Sequence, residues 1–399
     1  SADSLKTISE EPQRKFAFIR KIRLKSPYFA SCPRGLEAIL SGELTALGAG
    51  DIKVVDGGVK FESSTEVMYR ANLTSRIATR ILCRVANGDY KNEDDLYNAA
   101  LNVKWASLFD VSHGIKVSTT GVKCPLKSLD FMTLRIKDAI CDQFRSQVNA
   151  RPNVEIRDPD IRIHLYLEAD YFDLYIDTSG QPLYQRGFRK SSVEAPIREN
   201  LAAGILALSG WEPGEPLLDP MCGSGTFLIE AAMIALNKAP GLKRNFGFEH
   251  WKDFDSVLFK NIKSEYQAQI KPLVFSHIYG SDEDLRAIRV TKGNLEEAGL
   301  KTAVELSRKS FNDIVAPAKE GVLITNPPYG VRIGEDEDLA KAYPLWASTM
   351  KQKLSGWRTY FLTSDLRMPK LMRLSPSKKT PLYNGALDCR LFEIKMVAG

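Results

Sequence analysis

The segment Leu217-Leu218-Asp219-Pro220-Met221-Cys222-Gly223-Ser224-Gly225-Thr226 restricts the fold of this chain more than any other. An apolar run stops at an acidic residue and a proline, a glycine-rich turn follows, and Phe227 to Leu236 continues as an apolar helix. Small residues at Gly223, Ser224 and Gly225 let a ligand approach the backbone. The helix behind them opens with unpaired N–H groups that suit an anionic or polar group. Leu228 stands where the dinucleotide fingerprint needs its third glycine, and no Gly-Lys-Ser/Thr follows as a phosphate loop requires. From Leu217 onward short apolar strands alternate with helical stretches. That alternation predicts an α/β domain with a parallel, doubly wound sheet and a ligand at the carboxyl ends of its strands.

Two later segments supply what those strand ends would need. Leu273 to Tyr279 reads as a strand ending in Gly280-Ser281-Asp282, followed by a helix over 283–298. Asp282 is the candidate acceptor for ribose hydroxyls, and Asp284, just inside the helix, is its rival, since a helix N-cap explains either. The two motifs lie much further apart than the customary 20 or so residues, so 239–255, with Phe246, Phe248 and Trp251, reads as an insertion. Val322 to Thr325 is then a buried strand stopped by Asn326-Pro327-Pro328-Tyr329-Gly330. Prolines cannot continue a ladder, and the first biases Asn326 towards an extended backbone, which projects Asn326 and the following carbonyls into the cleft.

That arrangement suits methylation of a conjugated nitrogen. The lone pair of an exocyclic amine is delocalised into its ring, and the nitrogen becomes nucleophilic only as it pyramidalises and gains positive charge. Acceptors aimed at its hydrogens, the Asn326 side-chain oxygen and the Pro327 carbonyl, favour that change mainly in the transition state. Tyr329 offers a stacking face that offsets part of the unstacking cost of a base turned out to react, about 1 to 3 kcal/mol. No strong general base is required before attack, and His250 and His277 read as structural.

Upstream of residue 180 the patterns are α+β. A helix is predicted within 33–48, flanked by β-like runs at 28–31 and 51–61, with an amphipathic stretch at 67–77 and a strand at 81–85. A helix at 94–103, a strand at 114–122, a long helix at 129–148 and a hairpin pairing 161–167 with 172–176 follow. His164 alternates onto the solvent face of that hairpin. Residues 184–192 read as a polar, basic connection, and a helix over 196–208 leads into the doubly wound region.

The chain has 399 residues, 44% hydrophobic and 26% charged, and a formal net charge of +6, compatible with a polyanionic partner without identifying one. Apolar stretches fall far short of the roughly 20 residues that span a bilayer, and the N-terminus lacks a secretory pattern. Six scattered cysteines with no CxxC pair predict neither disulfides nor a metal site, which fits a cytoplasmic protein.

The glycine turn with Ile229-Glu230-Ala231-Ala232, then Ala239-Pro240-Gly241, Gly280-Ser281-Asp282, Asn326-Pro327-Pro328-Tyr329-Gly330 and the tail Asn384-Gly385-x-Leu387-Asp388-Cys389 resemble THUMP-containing class I methyltransferases, nearest the bacterial 23S ribosomal RNA guanine-N2 methyltransferases. Arg186-Gly187-Phe188-Arg189, Ala195-Pro196-Ile197-Arg198-Glu199-Asn200 and Cys32-Pro33-Arg34-Gly35-Leu36-Glu37 extend the likeness. The resemblance implies a basic N-terminal extension over 1–26, a ferredoxin-like domain over 27–90, a THUMP RNA-binding domain over 91–180, a linker over 181–192 and a Rossmann-like catalytic domain over 193–399. It implies S-adenosylmethionine as cofactor and ribosomal RNA or a precursor ribosomal particle as partner, with no membrane and no metal. Asp219, Gly223, Ser224 and Gly225 would line the methionine end, with Pro196, Pro220, Cys222 and Thr226 also among the cofactor-binding residues. Asp282 would hold the ribose, and Asn312 or Asp313 would meet the adenine. Asn326, Pro327, Pro328 and Tyr329 would carry the chemistry. Some members add a second domain making 7-methylguanosine; this chain ends after the first, so that activity is expected to be absent. Arg367, Lys370, Arg373, Lys378 and Lys379 form a candidate RNA-contacting edge or an ordinary solvated loop. Rival readings are adenine-N6 or tRNA guanine-N2 methylation, methylation of a protein glutamine amide, and a non-catalytic RNA-binding assembly factor.

Overall fold

A computed structural model describes residues 25–126, 128–193, 196–328 and 335–397. Its contacts divide the chain into two units. The first holds Ser1–Ser31, Ser41–Leu183 and Asn245–Lys263, and the second Cys32–Leu40, Tyr184–Arg244 and Ser264–Gly399.

In chain order the first half forms β1 (Ser26–Ser31), α1 (Glu37–Ala46), β2 (Gly50–Val55), β3 (Gly58–Ser63), α2 (Thr65–Thr74), β4 (Arg80–Asp89), α3 (Glu93–Leu101), α4 (Trp105–Leu108), β5 (Ile115–Gly121), α5 (Leu129–Val148), β6 (Ile161–Leu167) and β7 (Tyr171–Asp177). The seven strands make one sheet in the order β2-β3-β1-β4-β7-β6-β5. The β5–β6 pair is parallel and the others are antiparallel. The run expected over 51–61 is in fact the hairpin β2–β3, because Asp56-Gly57 turns the chain, with Gly57 at a φ of 77°. Helix α5 starts at Ser128, whose hydroxyl accepts the Phe131 N–H, and buries Met132, Ile136, Ile140 and Phe144 along one stripe. Alternate β6 residues Ile161, Ile163, Leu165 and Leu167 meet that stripe in the core.

His164 is not a plain solvent-face residue. Strand β5 places Ser118 Oγ 2.8 Å from its Nδ1 and Thr120 Oγ1 2.9 Å from its Nε2. Burial, with a contribution from Arg80, lowers its pKa to about 4. The inserted segment also has a structural role: its Phe248 and Phe254, with Phe259 just beyond it, pack on Tyr69 of α2, Phe246 stacks on Phe248, and the Asp255 N–H donates to the Tyr69 hydroxyl at 3.1 Å.

The remaining elements are α6 (Glu199–Leu208), β8 (Leu217–Asp219), α7 (Thr226–Ala235), α8 (Ser256–Ala268), β9 (Ile278–Asp282), α9 (Leu285–Glu297), β10 (Val304–Arg308), β11 (Val322–Thr325), α10 (Glu335–Lys353), β12 (Arg358–Thr363), α11 (Met368–Met372), β13 (Lys378–Asn384) and β14 (Leu387–Lys395). The second unit's sheet runs β10-β9-β8-β11-β12-β14-β13, parallel from β10 to β12, with β14 and β13 antiparallel. Strand order reverses between β8 and β11, and in such sheets the ligand crevice opens at that reversal. On one face, Tyr343, Trp346 and Met350 of α10 pack against Leu323 and Phe361.

Strand β9 begins later than the apolar run suggested. Pro272 has no amide to pair and His277 adopts a φ of 58°, so Leu273, Val274 and Phe275 stay exposed and Gly280-Ser281-Asp282 completes the strand. Gly280 lets Leu228 of α7 pack closely there, since a Cβ would sit 2.3 Å from Leu228 Cδ1 and push that side chain aside.

Residues 184–192 are not simply a polar connection either. Arg186 Nη2 donates to Glu230 Oε1 on α7 at 2.6 Å, with both side chains essentially buried. Removing one charge of a buried pair typically costs about 3 to 5 kcal/mol. Glu230→Gln keeps an acceptor but loses the charge, so a loss of about 3 kcal/mol is expected from urea unfolding; a loss below about 1 kcal/mol would show that the pair does not hold this connection in place.

Candidate active site

The glycine turn and the Asn-Pro-Pro segment leave neighbouring strands, with Val322 beside Leu217 and Leu323 beside Leu218. Asp219, at the end of β8, is 2% exposed and joins them. Its Oδ1 accepts the Thr325 hydroxyl at 2.7 Å and the Met221 N–H at 3.2 Å. A buried carboxylate without such donors would cost too much to keep. Burial still raises its pKa to about 7, while the bonds from Thr325 and Met221 oppose the rise and the nearby Asp282 charge adds to it.

The turn is fastened to β9 as well. The Cys222 N–H donates to the Ser281 carbonyl at 3.0 Å, and the Gly223 N–H donates to Asp282 Oδ2 at 3.0 Å. Asp284 caps α9, accepting the Arg286 N–H at 2.8 Å, so the two acids have different tasks and Asp282 is the one against the turn. Gly223 and Gly225 have φ values of 53° and 83°, and at Gly225 a Cβ would lie 2.6 Å from Thr291 Cγ2. Glycine at the N-cap brings no side chain to the first-turn amides of α7.

Several expected cofactor-binding residues are tied to other parts of the second unit by side chain or backbone. Pro220 is buried. The Cys222 thiol lies 3.7 Å from Thr291 Oγ1, and burial pushes its pKa well up. Thr226 Oγ1 accepts from Lys190 Nζ at 2.7 Å, and the Ser224 carbonyl accepts from Asn294 Nδ2 at 2.9 Å. Pro196 is exposed, and its carbonyl accepts from Asn384 Nδ2 at 3.4 Å, which ties it to the tail motif. Asn312 and Asp313 are both exposed and differ in partner: Asn312 Oδ1 accepts from Thr349 of α10 at 3.3 Å, and Asp313 accepts from Ser310 Oγ at 3.2 Å.

Asn326 is half-buried, Pro327 buried and Pro328 exposed; Tyr329 lies outside the described residues. Of the basic edge, Arg367 is paired with Asp365 at 2.9 Å, and Lys370, Arg373, Lys378 and Lys379 are exposed on α11, the turn after it and β13.

Sequence reading missed the residues that brace the turn. Lys190 also reaches Glu199 at 2.9 Å, and Asn294 clamps Ser191 through its N–H and carbonyl, both at 2.8 Å. No local spacing joins residues so far apart in the chain. The Arg-Gly-Phe-Arg likeness was the available signal, and it pointed at the right segment without giving the partners.

The donor set fits S-adenosylmethionine. Uncapped α7 amides suit a carboxylate, Asp282 suits vicinal hydroxyls, and beside it the buried Ser281 has a hydroxyl with no hydrogen-bond partner among the described residues. A doubly wound sheet with this turn and an Asn-Pro-Pro strand end defines a methyltransferase that uses S-adenosylmethionine.

Comparisons with known proteins agree. Residues 186–393 match the RMKL-like methyltransferase domain, 27–82 the RlmL ferredoxin-like domain and 90–177 the THUMP domain. The chain belongs to the RMKL-like methyltransferase family. It is 37% identical to a Synechocystis protein named "Putative RNA methyltransferase", over 93% of this chain and 97% of that one. It is 38% identical to the ribosomal RNA large subunit methyltransferase K/L of Shewanella oneidensis, over 91% of this chain and 52% of that one, so it spans about half of that relative's length. A crystal structure of "a putative methyltransferase complexed with SAH" superposes with a TM-score of 0.83 at 33% identity, covering 93% of this chain and 98% of that one.

Because its pKa is raised to about 7, Asp219 contributes stability that is fully present below about pH 4 and is lost as pH rises through about 7. In Asp219→Asn the amide oxygen can still accept from Thr325 and Met221. The fall in stability across that window should therefore flatten, as read from urea midpoints at a series of pH values. An unchanged slope would remove Asp219 from this account.

Proposed function

We propose that this chain methylates the exocyclic N2 amine of a guanine in ribosomal RNA. The relatives' names carry the RNA class, and a THUMP match ahead of the catalytic domain supports it. The observation that carries the chemistry is the Asp219–Thr325 bond, because it keeps the strand end bearing Asn326 beside the glycine turn.

S-adenosylmethionine supplies an electrophilic methyl group on a sulfonium sulfur. The α7 amides would hold its carboxylate, Asp219 would line its methionine end, Asp282 would take the ribose hydroxyls and Asp313 the adenine. Asn312, engaged by Thr349, supports the loop that presents Asp313. Asn326 Oδ1 and the Pro327 carbonyl accept from the hydrogens of the target amine and stabilise the charge it gains on attack, with Pro328 fixing the backbone and Tyr329 stacking on the base. Lys370, Arg373, Lys378 and Lys379 offer phosphate contacts, and the compartment is the cytoplasm.

Incubation with labelled S-adenosylmethionine and unmodified ribosomal RNA, then nucleoside mass spectrometry, should give N2-methylguanosine. N6-methyladenosine would keep the mechanism and replace the base, and unlabelled RNA would overturn the RNA substrate. Asn326→Ala should lower methyl transfer by about 100- to 1,000-fold, the scale of losing one preorganised polar group. Cofactor affinity, measured by calorimetry, should barely change; undiminished turnover would contradict the role given to Asn326.

A further inference from the structure

Within the first unit, three side chains converge that no local spacing associates. His113 lies in the turn after α4, Asp160 just before β6, and His250 in the inserted segment. His113 Nδ1 is 2.9 Å from Asp160 Oδ2, and His250 Nε2 is 3.6 Å from Asp160 Oδ1. The imidazole rings are 5.0 Å apart, and one ligand atom of each residue lies within 4.8 Å of the other two. All three side chains are partly exposed, so an ion could reach them.

We propose that His113, Asp160 and His250 form a binding site for a divalent first-row cation of the zinc type. Zinc takes imidazole nitrogen and carboxylate oxygen at about 2.0 to 2.2 Å, so ligand atoms on a tetrahedral shell stand about 3.4 Å apart. The two imidazoles approach different oxygens of Asp160, His113 its Oδ2 and His250 its Oδ1, and with one atom from each residue the set spans up to 4.8 Å, so turning the carboxylate and an imidazole would bring the three atoms to that spacing. Two neutral imidazoles and a carboxylate carry one net negative charge, which favours a cation, with water as fourth ligand.

The backbone holds each ligand close to a fixed point. The Ile161 N–H donates to the Gly114 carbonyl at 3.1 Å, which anchors Asp160 and His113 through their chain neighbours. Trp251, next to His250, forms a β-bridge with Phe109, and the Lys252 N–H donates to the Leu108 carbonyl at 2.8 Å. Such a frame lowers the ordering cost of assembling three ligands. A bound ion would clip the inserted segment to the chain between α4 and β6, beside the point where that bridge joins it to Phe109.

The full chain, stripped with a chelator and dialysed, is titrated with zinc by competition calorimetry and with cobalt by visible absorption. One equivalent per chain is expected, with tetrahedral cobalt bands and a zinc-dependent rise in thermal midpoint. In His113→Ala and His250→Ala the affinity should fall more than about 100-fold, beyond the usual cost of losing a group that only hydrogen-bonds to a ligand, and the thermal rise should vanish. If either alanine variant does not fold, Asp160→Asn, nearly unchanged in volume, gives the same comparison. No saturable binding below about 1 mM, or equal affinity in the wild type and the folded variants, overturns the proposal and leaves Asp160 as a hydrogen-bond acceptor between two histidines.

Discussion

The second unit is organised around one buried carboxylate. Asp219 sits where strand order reverses, and its Oδ1 gathers a hydroxyl from β11 and an amide from the glycine turn. Burying the group is unfavourable, and the cost appears as a pKa near neutrality. The return is positional: the glycine turn and the strand end that carries Asn326 share a hydrogen-bonded atom. Asp282 repeats the device from β9, so the turn is fixed on two sides before any ligand arrives.

A second layer of polar groups supports that turn. Arg186 is buried against Glu230, Lys190 spans Glu199 and Thr226, and Asn294 binds both Ser191 and Ser224. Each contact joins the segment after residue 183 to the elements around the glycine turn. A stretch that looks like a solvated basic connection therefore braces the glycine turn. Arg186 is buried because it is paired, the condition under which a folded interior accepts a charge, and Lys190 is half-buried against Glu199.

The inserted segment follows the opposite logic. Its aromatic residues close around Tyr69 in the first unit, where edge and stacked ring contacts are worth more than burial alone. The long interval between the cofactor motifs is thus the length of chain needed to send residues 245–263 to that cluster and return.

Much was determined locally and was legible for that reason. The apolar spacing of α5, the alternation of β6 and the strand-turn-helix around Asp219 each depend on neighbours within one element, so periodicity exposed them. So did the prolines that stop β11 after Thr325 and leave Asn326 at the strand end. What only tertiary structure decided are the pairings between distant residues: Thr325 with Asp219, Arg186 with Glu230, His164 with two hydroxyls of β5, and His113 with Asp160 and His250. The physical reason is that hydrogen bonds and charge pairs act over a few ångströms in space and carry no period along the chain. A sequence displays the residues able to make them, and the packed sheets select which ones meet.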